Sequence, residues 1–339
     1  MRSAADRARD VRRLVEAARA VVRDRARWAA EIAASSGLSP EGVERAFLRH
    51  VEVDASDDAI AALVARAGDA PEVHVVLSAN VFVAPLRAMA IARAASGRVR
   101  VRPSRRDPTF ARALVDGARD PAIAIADFDV ANVDRGEIHV YGRDETIADV
   151  RRRARVKVRG HGAGMGVALV SRDARVDDAA RALAEDVVAF DQRGCLSPRV
   201  AIVLGDARAF ADALSAALAD EERTVPRGVL SEDEAAEAAR WCGSVAFAGE
   251  LARGRAHAVA IAPASAIPPP GRHVLVVPAA DEAAAAAIVA PLARHVVAVG
   301  SDDAALAARV APPHARRSAL GDMQRPPLDG PVDLRPEWR

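Results

Sequence analysis

A lone cysteine on a polar turn is the residue of this sequence best suited to covalent chemistry. Cys195 lies in the stretch Asp-Gln-Arg-Gly-Cys-Leu-Ser-Pro-Arg at 191–199, directly before an apolar run. A thiol at the rim of a sheet can accept an acyl group, and the adjacent Arg193 would favour the reactive thiolate. The alternative is that Cys195 is a buried small hydrophobe, as we expect for Cys242.

Asn80 is a candidate because it follows the first predicted strand. Its side-chain amide sits where a chain turns from the apolar run at 73–77 into a helix that begins near Pro85. An amide in that position can donate a hydrogen bond to an oxyanion. The alternative, which the isolated residue favours, is that Asn80 caps the helix or tightens the turn.

A basic loop follows the second predicted strand. It contains Arg102, Pro103, Ser104 and Arg105. Guanidinium and hydroxyl groups suit a phosphate, such as the 2′-phosphate of NADP. The alternative is a solvated loop in an arginine-rich chain, since nearly all of the basic residues are arginines.

Glycines mark two further turns. Gly142 and Arg143 turn a strand into a helix, where backbone N–H groups can hold a pyrophosphate. Gly162 and Gly164 belong to a glycine-rich loop between two strands, which lets the backbone pass close to a cofactor or to the thiol. His161 in that loop is a candidate base, and the alternative is an ordinary loop residue.

The elements that position these residues alternate between strand and helix. Regular alternation predicts an α/β fold in which a parallel sheet is covered on both faces, with ligands bound beyond the carboxyl ends of the strands. Helices are predicted over 2–34, over 40–51 and after residue 57. The predicted strands lie near 73–77, 99–102, 122–126, 138–141, 156–158, 167–170, 200–204, 245–248, 257–261, 273–277 and 295–299.

Composition excludes several classes of protein. The 339 residues carry 48 basic and 47 acidic side chains, so neither nucleic acid nor a membrane surface is an expected partner. Two cysteines cannot form a disulfide framework, and no Cys/His cluster predicts a metal site. No run reaches membrane-spanning length and no signal peptide is evident, so we expect a cytoplasmic location.

The order of these features resembles the aldehyde dehydrogenase superfamily, and three motifs resemble more closely the acyl-CoA reductase family of bacterial bioluminescence, the LuxC type. They are Arg-Pro-Ser-Arg-Arg-Asp-Pro at 102–108, Asp-Gln-Arg-Gly-Cys-Leu-Ser-Pro at 191–198 and Leu-Gly-Asp-Met-Gln-Arg-Pro-Pro at 320–327. The resemblance implies an aldehyde dehydrogenase-like fold with two Rossmann-type α/β domains. We expect a helical segment at 1–70, an NADP(H)-binding domain at 71–190, a catalytic domain at 191–311 and a tail at 312–339 that returns to the active site or the cofactor domain.

The resemblance also implies a reaction. Cys195 would attack a fatty acyl-CoA, the amide of Asn80 would hold the oxyanion, and NADPH would reduce the resulting thioester to an aldehyde. Arg102 takes the place of the family's cofactor lysine, with Ser104 and Arg105 near the adenosine ribose or its phosphate. His161 falls near the position where hydrolytic relatives carry a water-activating glutamate, so this chain suits reduction better than oxidation.

Alternatives remain open at this stage. The same fold and thiol could reduce an acyl phosphate or a short acyl-CoA, or the chain could be a degenerate member that binds acyl groups without turnover. The acyl donor is expected to be acyl-CoA or an acyl-carrier thioester, and an acyl-activating or acyl-transferring protein is a further possible partner. The sequence does not determine the oligomeric state.

Overall fold

The chain folds into two compact α/β units, each with its own sheet. The computed structural model describes residues 2–79 and 81–335. The first unit comprises the chain up to Ser36, the stretch Glu44–Ala163 and the segment that begins at Pro327; the second comprises Gly37–Val43 and Gly164–Pro326. The division after Ala163 differs from the expected boundary after 190, because the helix that leads to Cys195 packs on the sheet of the second unit.

The first unit is built on a five-stranded parallel sheet. Its strand order is β3-β2-β1-β4-β5. The chain adds β2 and then β3 on one side of β1, and afterwards adds β4 and β5 on the other side. In sheets of this kind, the usual ligand position is beyond the carboxyl ends of the strands, where the strand order reverses. The strands are β1 Val73–Val76, β2 Val99–Arg102, β3 Ile123–Ile125, β4 Glu137–Tyr141 and β5 Lys157–His161.

Helices precede this sheet and alternate with its strands. The first begins where the side chain of Ser3 accepts a hydrogen bond from the N–H of Asp6, and its apolar positions recur at helical spacing. The helix after β1 is buried along its whole length, since it consists largely of alanine and other apolar residues. The helices are α1 Ala4–Arg23, α2 Ala29–Ser36, α3 Pro40–Arg49, α4 Asp57–Arg66, α5 Pro85–Ala95, α6 Thr109–Ala118 and α7 Asp144–Arg153.

The second unit contains a seven-stranded sheet of order β12-β11-β6-β7-β10-β9-β8. The pairs are parallel except for β8 with β9. The strands are β6 Met165–Val170, β7 Pro198–Val203, β8 Glu250–Arg253, β9 Ala258–Ile261, β10 His273–Pro278, β11 Val296–Ser301 and β12 Arg316–Ala319. The helices are α8 Val176–Val188, α9 Ala207–Thr224, α10 Glu232–Ala248, α11 Glu282–Val289 and α12 Ala304–Val310.

Apolar clusters cover both faces of the seven-stranded sheet. Val200 and Ile202 of β7 pack with α10, α11 and α12, whereas Ala201 and Val203 pack with α8 and α9. The central strands are therefore apolar on both faces, which is why they appear in the sequence as continuous apolar runs rather than as alternating ones.

One sequence-based assignment in this unit needs correction. The predicted strand at 245–248 is wrong, because α10 starts at a capping box between Ser231 and Glu234 and continues to Ala248. Its buried residues 238, 241, 242 and 245 follow the pattern i, i+3, i+4 and i+7, as one face of a helix requires. The segment expected as a tail, residues 312–339, contributes β12 at the edge of the sheet.

No helix within residues 2–79 and 81–335 is both long and apolar enough to cross a membrane.

Candidate active site

Cys195 lies on the turn between α8 and β7, as its sequence context predicts. The residue is partly exposed, whereas Cys242 is buried in the apolar cluster under α10. A partly exposed thiol at the end of a sheet is open to a substrate, and a buried one is not. The structure therefore distinguishes the two cysteines in the way that their flanking residues indicate.

The turn is reached through three consecutive residues with left-handed backbone conformation. Phe190, Asp191 and Gln192 have φ angles of 53°, 49° and 66°. Such angles are uncommon for residues other than glycine, and each costs on the order of 1–3 kcal/mol unless the surroundings impose it. The chain therefore bends sharply just before the thiol, and something must hold that bend.

A buried ion pair holds the bend from one side. The guanidinium of Arg272 donates to Oδ1 of Asp191 through Nε at 2.9 Å, and a second guanidinium nitrogen lies 2.8 Å from the same oxygen. Oδ2 of Asp191 accepts the N–H of Gly228 at 2.9 Å. Arg272 also reaches Glu222 at 2.8 Å, so its charge is compensated on both sides.

Gln192 holds the bend from the other side. Its amide nitrogen donates to the carbonyl oxygens of Pro198 at 2.6 Å and His273 at 2.7 Å, and its amide oxygen accepts the N–H of His273 at 2.9 Å. The side chain is fully buried. These bonds tie the residues before the thiol to the strand after it, so the position of the turn is fixed.

Arg193, two residues before the thiol, is bound by groups at the start of α10. Its guanidinium pairs with Glu234 at 3.0 Å and donates to the carbonyl of Val229 at 2.8 Å. Much of its charge is therefore compensated by a carboxylate. Its contacts anchor the start of α10 beside the turn.

The motif at 320–327 packs against the turn. A Cβ atom added to Gly166 would lie 2.6 Å from Cε of Met323 and would overlap the carbonyl oxygen of Leu196. Gly166 thus lets Met323 approach the residue that follows the thiol. Asp186 of α8 fixes this segment, because its carboxylate accepts the N–H groups of Gly321 at 2.6 Å and Met323 at 3.0 Å.

Burial raises the pKa of Asp186 to about 7, and the backbone N–H groups that it accepts offset part of that effect. The sequence signal for this residue was a polar side chain at a core-facing position of α8, next to Leu183 and Val187. Asp186, Gln192 and Arg272 were not predicted as functional residues from the sequence. They act through contacts that are distant in the chain.

In the first unit, the predicted cofactor loop lines an open pocket at the carboxyl ends of β1, β2 and β3. Arg102, Pro103, Ser104 and Arg105 all lie in its wall, together with Asp127 beyond β3. Arg102 donates to the carbonyl oxygen of Phe128 at 2.6 Å and stacks on its ring, and burial lowers its pKa. Arg105 is exposed at the rim, where its guanidinium is accessible to an anion.

The glycine turns lie at the same edge of the sheet. The N–H of Gly142 donates to the carbonyl oxygen of His161 at 3.2 Å, and Arg143 directly precedes α7 without a side-chain cap. The N–H of Ala163, next to Gly162, donates to the carboxylate of Asp144 at 2.9 Å. This brings Gly142, Arg143 and Gly162 to the edge where β4 and β5 end, whereas Gly164 belongs to the second unit.

His161 stacks on Tyr141 of the neighbouring strand, with ring centroids 4.4 Å apart and planes inclined by 11°. Burial lowers the pKa of His161 to about 3, and His139 adds to the effect. The imidazole is therefore neutral at neutral pH and accepts protons weakly. A small cavity beside it is also lined by His139 and Arg159.

Asn80, the expected oxyanion donor, lies outside the described residues. The preceding Ser78 and Ala79 come directly after β1, at the carboxyl edge of the sheet. Within residues 2–79 and 81–335, no three His, Cys, Asp or Glu side chains are arranged to hold a metal ion.

Comparison with known proteins identifies the family. A model of the acyl-CoA reductase (LuxC) family matches residues 118–312, more than half of the chain. The chain belongs to the acyl-CoA reductase (LuxC) family. Family membership makes the protein an oxidoreductase that acts at the acyl and aldehyde level. None of the curated protein sequences matches it.

Solved aldehyde dehydrogenases share the fold. An NAD-dependent benzaldehyde dehydrogenase from Corynebacterium glutamicum is similar with a TM-score of 0.72 and 16% identity, over 95% of this chain and 83% of that chain. A gamma-glutamyl-gamma-aminobutyraldehyde dehydrogenase from Burkholderia cenocepacia gives 0.73 and 15%, over 95% and 78%. Aldehyde dehydrogenase 21 from Physcomitrella patens gives 0.70 and 16%, over 96% and 79%. The predicted aldehyde dehydrogenase-like fold is confirmed.

Proposed function

We propose that the protein reduces an acyl-CoA, of the fatty type or another acyl thioester, to an aldehyde with NADPH. The reaction would proceed through an acyl group on Cys195. The observation that carries this proposal is the thiol itself, which is partly exposed on a turn fixed by Gln192 and by the Asp191–Arg272 pair. A nucleophile held in one position gains rate from orientation.

The chemistry follows from the thiol. The thiolate of Cys195 attacks the acyl carbonyl, the carbonyl oxygen becomes an oxyanion, and CoA leaves as a thiolate when that intermediate collapses. This gives a thioester on the enzyme. NADPH, when bound, supplies the hydride that reduces this thioester to a thiohemiacetal. Collapse of the thiohemiacetal releases the aldehyde and restores the thiolate.

Residues of this chain have defined tasks in that scheme. We assign the side-chain amide of Asn80 to the oxyanion, because such donors act where charge develops in the transition state. Asp191, Gln192 and Arg272 are positioning residues that keep the thiol in place. The neutral His161 provides no strong base for activating water, in keeping with an acyl group that is reduced rather than hydrolysed.

The cofactor pocket fits a nicotinamide dinucleotide. Ser104 and Arg105 would bind the adenosine ribose and its 2′-phosphate, and Arg102 with Pro103 would form the wall beside the adenosine. The pyrophosphate would be bound by Gly142, Arg143 and the first N–H groups of α7. Gly162 and Gly164 would let the backbone of their loop pass close to the cofactor. Although a structurally similar relative is described as NAD-dependent, the exposed Arg105 favours NADPH in this chain.

The direct test is intact mass after incubation with acyl-CoAs of increasing length in the absence of NADPH. We expect a hydroxylamine-labile acyl group that digestion maps to Cys195. The Cys195→Ala variant should acquire none and should form no aldehyde, whereas the Cys242→Ala variant should still be acylated. Aldehyde formation by Cys195→Ala would disprove the covalent route.

An acyl phosphate or a short acyl-CoA is the second candidate substrate class. It is favoured by Arg199, an arginine close to the thiol in the chain, whose one hydrogen bond within the described residues reaches a carbonyl oxygen.

A further inference from the structure

A β-bulge at Arg199 directly follows the thiol turn. In the pairing of β6 with β7, Gly166 is opposite Pro198 and the next residue, Val167, is opposite Val200. Arg199 is therefore the extra residue on β7 and has no counterpart on β6. Bulges of this kind redirect a side chain and are frequent beside active sites.

Within the described part of the chain, no carboxylate pairs with the guanidinium of Arg199. Among the described residues, none of the ion pairs involves Arg199, and its one hydrogen bond reaches the carbonyl oxygen of Pro268 at 3.5 Å, the upper limit for such a bond. Its Nε is enclosed and makes no hydrogen bond within the described chain. Burial lowers its pKa, and Glu237 is the one charged residue that opposes this effect.

A second enclosed donor, Ser197, lies between Cys195 and Arg199 in the chain. Ser197 is fully buried, and within the described part of the chain its hydroxyl oxygen has no partner. The backbone at this position is fixed, because its N–H donates to Gly194 at 3.1 Å and its carbonyl accepts from Gly166 at 2.8 Å. Enclosed donors without acceptors cost about 1–3 kcal/mol each, so their retention calls for a ligand that satisfies them.

We propose that Arg199, with the hydroxyl of Ser197, binds an oxyanionic group, a carboxylate or a phosphate, that the acyl donor carries near its reacting carbonyl. This proposal rests on the proposed function and narrows its substrate class. Guanidinium binds both kinds of anion through paired N–H groups, and the Nε–H of Arg199 has no acceptor within the described residues.

The distance along the chain sets where the anion lies on the substrate. Arg199 lies four positions after Cys195, so their Cα atoms are at most roughly 13–14 Å apart. We therefore place the anion on the same acyl donor as the thioester. Two sources satisfy this requirement, the far carboxylate of a short dicarboxylic acyl group and the phosphate of an acyl phosphate.

Ligand-dependent thermal unfolding tests the site independently of turnover. The wild-type protein, Arg199→Gln and the control Arg223→Gln are unfolded with succinate, with inorganic phosphate and with neutral butyramide. Arg223 is an exposed arginine of α9 in the same unit. We expect succinate or phosphate to raise the Tm of wild type and the control by about 2–5 °C, and to leave Arg199→Gln unchanged.

The pattern of protection identifies the source of the anion. Stronger protection by succinate indicates a carboxylate, and stronger protection by phosphate indicates an acyl phosphate. Equal Tm shifts in wild type and Arg199→Gln, or no shift in either, would overturn the proposal. If Arg199→Gln does not fold, Arg199→Lys, which keeps the charge and loses the paired geometry, should show a reduced shift.

Steady-state kinetics with acyl donors that carry or lack an anion near the carbonyl test this proposal separately from the proposed function. Wild type should use succinyl-CoA or butyryl phosphate at least tenfold better than butyryl-CoA, as kcat/KM. Arg199→Gln should lose that preference through KM, whereas the control Arg223→Gln should keep it. If no donor acylates Cys195 and anions still protect wild type alone, the proposed reaction fails and the anion site stands.

Discussion

The carboxylate of Asp191 and the guanidinium of Arg272 form a buried ion pair 81 residues apart in the chain, with Nε and Oδ1 separated by 2.9 Å. Both residues have left-handed backbone conformation, with φ of 49° and 66°. The pair thus joins two strained positions, one four residues before the thiol and one at the start of β10. Each strained position is held in place by the other, which is how the turn keeps its shape.

Breaking this pair should destabilise the protein strongly. We expect Asp191→Asn or Arg272→Gln to lower the free energy of unfolding by about 3–5 kcal/mol, because each removes an opposite charge from beside a buried ionised side chain. The control Arg309→Gln removes an exposed pair with Glu282 and should have a much smaller effect, because solvent screens exposed charges. Unfolding by denaturant gives the free energy of unfolding of each variant. If Arg309→Gln lowers the free energy of unfolding as much as Asp191→Asn or Arg272→Gln does, the buried pair has no special role in stability.

The rate at which Cys195 is alkylated tests whether the Asp191–Arg272 pair also positions the thiol. Iodoacetamide should modify Cys195 at a different rate in Arg272→Gln than in wild type under native conditions, since the turn is no longer fixed. Buried Cys242 should remain unmodified in both proteins. An unchanged rate at Cys195 would mean that other contacts suffice to position the thiol.

Arg105 should determine the choice between the two nicotinamide cofactors. We expect Arg105→Ala to weaken NADPH binding at least tenfold and NADH binding less than threefold, because the exposed guanidinium can reach only the extra phosphate. Titration of cofactor fluorescence gives both dissociation constants, with exposed Arg9→Ala as the control. Equal loss for the two cofactors would exclude a 2′-phosphate role.

The sequence contains enough information to predict the fold class, because apolar runs and turn residues record the β/α alternation directly. It also predicts Cys195 and the loop from Arg102 to Arg105 as candidate site residues, because they lie beside apolar runs at sheet edges. The network of Asp191, Gln192 and Arg272 was not predictable, since its bonds join residues six to 81 positions apart. A bulge such as that at Arg199 depends on the register of two strands and leaves no local pattern.

Asn80 should be needed for turnover rather than for folding. Loss of one oxyanion donor usually lowers kcat by about 10²–10³, and we expect this effect for Asn80→Ala with an unchanged Tm. Steady-state kinetics with the preferred acyl donor provides the measurement. An effect below threefold would mean that Asn80 only caps a helix or tightens a turn.

His161 should not titrate in the pH range of catalysis. Because burial lowers its pKa to about 3, the pH profile of kcat/KM between pH 5 and pH 9 should contain no step from this residue. Wild type and His161→Gln should therefore give profiles of the same shape. A step that is present in wild type and absent from the variant would restore His161 as a general base.

Asp186 should make stability depend on pH around neutrality. Its pKa is raised from 3.8 to about 7 in the folded protein, so its contribution to stability is complete below the unfolded value and is lost as pH rises through 7. Asp186→Asn cannot ionise. The unfolding free energy of wild type relative to this variant should fall between pH 5 and pH 7, by up to about 1.4 kcal/mol per pH unit, and level off above pH 8.

The exposed Asp212→Asn is the matched control for this effect, because it removes a carboxylate from α9 of the same unit. Its difference from wild type should stay constant over the same pH range. Since Asp186 accepts the N–H groups that hold Met323 beside the turn, ionisation should also alter the alkylation rate of Cys195 near pH 7 in wild type more than in Asp186→Asn. Parallel stability curves for wild type and Asp186→Asn would show that this carboxylate keeps one charge state from pH 5 to pH 8.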